Sequence, residues 1–184
     1  MRARSRFGAV ASVVVAIVLV VSVAGCSILG RSASDADRTT KELCHPDAKV
    51  GGELDRWMLD SCPAIAKPVV ITEQEFTPAI VGEHARPPDG PGWDWDRILD
   101  ACRHIHDSLP PIYDAATRVP ESAQAVARPL RTYAGELSEF TNGCIEVAPH
   151  QDYEQMRPLT AHLNAATRAV NEVESALLQA AGVN

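Results

Sequence analysis

From Trp95 onward, apolar residues recur at alternating steps of three and four, a spacing that restricts this part of the chain to amphipathic helices. Trp95, Ile98, Cys102, Ile105, Leu109, Ile112, Ala116 and Val119 fall on one helical stripe. A second stripe runs through Ala123, Val126, Leu130, Tyr133, Leu137, Phe140, Cys144 and Val147, and a third through Met156, Leu159, Leu163, Ala166, Val170, Val173, Leu177 and Ala180. Charged residues stand between the stripes. Short connections let neighbouring helices pack antiparallel at shallow angles, so the pattern predicts a bundle rather than a long exposed coiled coil.

Boundary residues agree with this reading. Asp94 is placed to cap the first of these helices, Pro120 suits the first turn of the second, and Asp152 with Gln155 makes a capping-box-like start for the third. Asn142-Gly143 predicts an early end to the second helix, with Cys144 to Val147 following as a turn. Prolines 110, 111, 129 and 158 predict kinks or local breaks, since each removes a backbone donor and crowds the preceding turn. Upstream, Leu54, Met58, Cys62, Ile65, Val69, Thr72, Phe76 and Ala79 fit a further stripe, but Pro63, Pro68 and Pro78 interrupt it. Two or three short helical pieces are expected there, one starting afresh at Thr72. An extended Val69-Val70-Ile71-Thr72 is the alternative, and it would be a strand without a partner. Arg86 to Gly92, with three prolines and two glycines, reads as an interior loop. The expected fold is all-α, a kinked up-down bundle of about four helices formed by residues 41–184 as a single domain.

The cysteines add a constraint of their own. Of five, Cys26 stands alone at the end of an apolar run, leaving Cys44, Cys62, Cys102 and Cys144. An even set suits two disulfides in an exported chain. In an up-down bundle Cys102 and Cys144 share one end on inward stripes and are expected to pair; Cys44 and Cys62 then form the second bridge. A zinc site is the competing use, but there is no Cys-x-x-Cys pair and the four are spread over about 100 residues.

The N-terminal segment carries a motif. Arg2, Arg4 and Arg6 precede an uncharged run, Phe7 to Ala24, rich in Val, Ala and Ile, which ends in Val23-Ala24-Gly25-Cys26. This segment resembles a bacterial lipoprotein signal with its lipobox. The resemblance covers roughly the first 27 residues and implies cleavage before Cys26, a diacylglycerol thioether on its sulfur and an acyl group on the new amine. An uncleaved membrane anchor is the competing reading, because the run is about the 18 residues that cross a bilayer. On the lipoprotein reading, residues 1–25 are a signal peptide and 26–40 the lipidated N-terminus and tether. The domain is then held at the extracytoplasmic face of the cell membrane.

Charge and motif searches narrow the function. Beyond residue 25 the chain holds 14 basic and 24 acidic residues, a formal charge of −10. Such a balance argues against nucleic acid, whose binding needs a basic surface to displace counterions. The sequence has no Gly-x-Ser-x-Gly, no His-Glu-x-x-His, no Ser-x-x-Lys and no phosphate-binding glycine loop. His104 and His106 point to different sides of a helix and read as a solvated pair. Cys102 with His106 has better spacing for a metal, but a bridged Cys102 is spent. His45, His84, His150 and His162 show no local partner pattern. Asp94 with Asp96, and Glu136 with Glu139, are acid pairs of a kind common on solvated helix faces. Trp93, in Trp93-Asp94-Trp95-Asp96, is the one candidate for a contact surface at a bundle end, since aromatic anchors carry disproportionate binding energy.

These observations favour a noncatalytic envelope lipoprotein, with no cofactor beyond its lipid, whose helical domain binds an envelope protein, wall component or lipid. The alternative is an extracytoplasmic enzyme or metal-dependent accessory protein, which requires the histidines and acids to converge in one cleft.

Overall fold

The computed structural model describes residues 52–81 and 92–182. The expected signal segment, the tether, Cys26, Cys44, His45 and His84, and all but Gly92 of the Pro/Gly loop lie outside the described residues. Among the described residues every regular element is a helix. They form four rods. The first comprises α1 (Gly52–Ile71), a π-helical turn (Thr72–Phe76) and α2 (Thr77–Val81). The second comprises α3 (Trp95–Asp107) and α4 (Leu109–Thr117), the third a 3₁₀ segment (Glu121–Val126), α5 (Ala127–Val147) and a 3₁₀ turn (Ala148–His150), and the fourth α6 (Tyr153–Ala180).

The stripes become the core. Every member of the second stripe is buried, and so is every member of the first except Trp95, which packs against the core while partly exposed. On α6, Met156, Ala166, Val170, Val173 and Leu177 are buried, with Leu159, Leu163 and Ala180 packed around them. Each fully buried Ile or Leu removes enough apolar surface from water to contribute about 1.5–3 kcal/mol. The third rod is the hub: α5 packs against α3, α4 and α6, while α1 lies against α3 and α4. Phe76 of the π turn meets Phe140 of α5 edge-to-face, with ring centroids 5.2 Å apart. Trp57 Nε1 donates to the Ala115 carbonyl at 3.1 Å, and the Tyr133 hydroxyl donates to the Ile65 carbonyl at 3.2 Å, tying α1 to α4 and α5.

Two of the three helix starts follow the sequence; Pro120, expected in the first turn of the next helix, instead stands ahead of the 3₁₀ segment with an extended ψ of 153°, and α5 begins only at Ala127. Asp94 accepts from the Arg97 amide at 3.1 Å, and Asp152 accepts from the Gln155 amide at 3.1 Å and from Gln155 Nε2 at 2.7 Å. The break expected at Pro110-Pro111 falls at Ser108, whose buried hydroxyl donates to the Ile105 carbonyl at 2.6 Å.

Three local expectations need correction. The first rod is not a set of separate pieces: Pro63 and Pro68 sit inside one helix, and Thr72 opens a widened turn rather than a fresh helix or a strand. The wide turn lets the Thr77 amide reach the Thr72 carbonyl. Pro78 lacks the amide that an α-helix would aim at the Gln74 carbonyl, and Arg97 Nη2 donates to that oxygen instead, at 3.0 Å. Asn142-Gly143 does not end α5, which runs on to Val147. A Cβ on Gly143 would come within 2.6 Å of Leu159 Cδ2, so this glycine marks a close approach of α5 and α6 rather than a stop. Pro158 lies within α6 without ending it.

One disulfide is present among the described residues. Cys102 and Cys144 are joined, Cα atoms 6.2 Å apart, and both are fully buried. The expectation of two bridges is not borne out among the described residues, where one pair stands at bonding distance. Cys62 is buried on α1, and its expected partner, Cys44, lies outside the described residues.

Candidate functional site

The residues singled out by sequence do not gather at one place. Cys102 and Cys144 bind α3 to the last turn of α5. The metal pairing of Cys102 with His106 is closed off by that bond. Trp93 stands just ahead of α3, and its ring meets Trp95 with centroids 5.1 Å apart and planes tilted by 54°. It also meets Tyr153, the first residue of α6, at 4.9 Å and 64°. All three rings are partly buried and partly open. Sequence reasoning named Trp93 but missed Tyr153, which is 60 residues away and reaches Trp93 only because α6 starts at the same end of the bundle as α3.

The local chain holds this cluster in place. The Asp94 amide donates to the Ala79 carbonyl at 3.0 Å, anchoring the start of α3 to the end of the first rod. Asp152 caps α6 next to Tyr153, and Gln151 turns the chain with a left-handed φ of 55°. The Gln155 amide, with help from its side chain, stabilises the ionised Asp152 carboxylate and holds it below the usual carboxylate range.

The histidines find acids from other rods. His104 Nδ1 lies 2.7 Å from Glu75 Oε2 of the π turn, and His162 Nδ1 lies 2.8 Å from Glu136 Oε2 on α5. His106 is exposed, 3.8 Å from the neighbouring Asp107, and His150 is exposed at the end of the third rod. Each histidine–glutamate contact is a pair with no third ligand: among the described residues no group of three or more His, Cys, Asp or Glu is placed to hold a metal ion. Of the acid pairs, Asp94 is used as a cap and Glu136 as a histidine partner, while Asp96 and Glu139 are exposed. Among the described residues no nucleophilic side chain is bonded to either histidine. An imidazole–carboxylate pair without one can orient a ring or exchange a proton with solvent, but it has no group to activate.

Among the described residues no helix is long and apolar enough to cross a membrane. No protein-family model, curated protein or solved structure matches the chain.

Proposed function

We propose that this chain is a membrane-anchored, noncatalytic lipoprotein of the cell envelope. Cys26 carries the diacylglycerol, and the helical bundle acts as a binding or scaffolding domain on the extracytoplasmic face. The observation that carries the reading is the Cys102–Cys144 disulfide. It is independent of the signal motif, and such bonds persist where the chain has left the reducing cytoplasm. The motif supplies the anchor: Arg2, Arg4 and Arg6, the apolar run, and Val23 to Cys26. Cys44 and Cys62 form the second bridge on this reading, which the burial of Cys62 on α1 supports, and the four rods run up and down. The open Trp93, Trp95 and Tyr153 rings are the contact surface. The enzyme or metal-protein alternative is less well supported, because the described histidines and acids stand as separate pairs.

The test is to feed cells an alkyne-tagged fatty acid and compare the intact chain with Cys26→Ala. The tag is expected on the wild-type protein in the membrane fraction and to be absent from the variant, which accumulates as precursor. Equal tagging of both would reject the anchor.

A further inference from the structure

The aromatic end of the bundle combines partly exposed rings with more acidic than basic side chains among the described residues. Four rods present helix ends there: α3 and α6 begin at this pole, while α2 and the third rod finish at it. Two positive and two negative helix termini offset one another, so side chains decide the local potential. Asp94 and Asp152 are occupied as caps. Asp96 and Glu146, both exposed, have no ionic partner among the described residues, and Glu154 is only 4.0 Å from Arg157. Among the described residues Arg97, a further cation at this end, is turned onto the Gln74 carbonyl, and His150 lies near Asp152.

From this arrangement, and resting on the binding-domain reading above, we propose that the Trp93–Trp95–Tyr153 pole docks a basic segment of a partner protein. An arginine or lysine of that segment lies on an open ring face, with Asp96 and Glu154 beside it. A cation is attracted by the negative face of an indole or phenol ring, and the flanking carboxylates add to that attraction. The chain's charge of −10 beyond residue 25 steers such a partner in and repels acidic ones. A glycan is the poorer fit. Planes tilted by 54° and 64° give no flat platform for successive sugar rings, and a neutral sugar gains nothing from the charge of Asp96 and Glu154.

The experiment uses the full chain in micelles of a neutral polyoxyethylene detergent and follows the three indole N–H resonances by NMR. Hexa-arginine is the probe, and a hexasaccharide of N-acetylglucosamine is the comparison. Hexa-arginine is expected to shift Trp93 and Trp95 and to leave Trp57, which is buried and bonded to Ala115, unmoved. Trp93→Leu should weaken binding by about five- to ten-fold, read at Trp95, and added salt should weaken it further. Asp96→Asn, which leaves the rings intact, should weaken it by about three-fold, while Glu121→Gln at the far end of the third rod should not. Equal loss in Glu121→Gln would mean diffuse attraction and overturn the proposal. So would shifts from the sugar alone, or no shift from either probe. Lipid on Cys26 is read separately: a lipidated chain that ignores hexa-arginine refutes only the docking surface, and a binding chain without lipid refutes only the anchor.

Discussion

Two buried hydroxyls on the first and third rods contrast at the scale of single residues. Tyr133 is fully buried, and its hydroxyl donates to the Ile65 carbonyl, whereas Ser61 Oγ is buried with no hydrogen-bond partner among the described residues. An unsatisfied buried hydroxyl costs about 1–3 kcal/mol, so Ser61→Ala is expected to leave the domain at least as stable, with a gain of about 1 kcal/mol in urea unfolding. A loss of that size would show that the hydroxyl is bonded in solution. Tyr133→Phe is expected to lose about 1 kcal/mol at neutral pH. Burial pushes the Tyr133 phenol well above its ordinary value. The stability linked to its neutral form is therefore complete below the ordinary phenol value, about pH 10, and falls away as pH rises beyond it. The wild type should lose stability in alkali faster than Tyr133→Phe, measured by unfolding at successive pH values.

At the scale of elements, α3 and α6 were legible because their stripes and caps obey local rules: three-and-four spacing, Asp94 before Arg97, Asp152 before Gln155; α5 was legible by its stripe alone, its start at Ala127 carrying no side-chain cap. The first rod was not, because proline is read locally as a breaker, while its cost is met by distant groups. Arg97, 19 residues beyond Pro78, satisfies the carbonyl that Pro78 leaves open. Gly143 was misread for a similar reason, its role being set by Leu159 across a helix pair. The capping of α6 makes a prediction of its own. Since the folded carboxyl of Asp152 is held below its ordinary value, its contribution is present above the unfolded value, near pH 4, and is lost as pH falls through the folded one. Asp152→Ala should be less stable than wild type at neutral pH, and the two should converge on acidification, as followed by circular dichroism. A gap that persists unchanged in acid would show that the carboxylate charge is not what holds the cap.

At the scale of the described bundle, the packing of successive rods decides which distant residues meet. Cys102 with Cys144, and Glu136 with His162, lie on successive rods joined by the short turns at residues 118–120 and 151–152. The first pair was legible because both cysteines stood on inward stripes. The second could have been found from the same register, but neither residue carries a local pattern. The Trp93–Tyr153 contact depends on where two rods begin, which periodicity alone does not set. Cys102 and Cys144 are 42 residues apart, and closing such a loop restricts the unfolded chain by about 4 kcal/mol on the chain-entropy account. Set against the roughly 5–15 kcal/mol of a typical domain, Cys102→Ala/Cys144→Ala should lower the urea midpoint sharply. An unchanged midpoint would mean that the bundle stands without the bridge. On the proposed function one cysteine is lipidated and four are bridged, and intact mass spectrometry of the membrane-extracted protein without reductant reads all five together. The predicted spectrum shows a chain beginning at Cys26, carrying a diacylglycerol and lacking one hydrogen for each of Cys44, Cys62, Cys102 and Cys144. A chain that retains residues 1–25, or an unmodified Cys26, would contradict it.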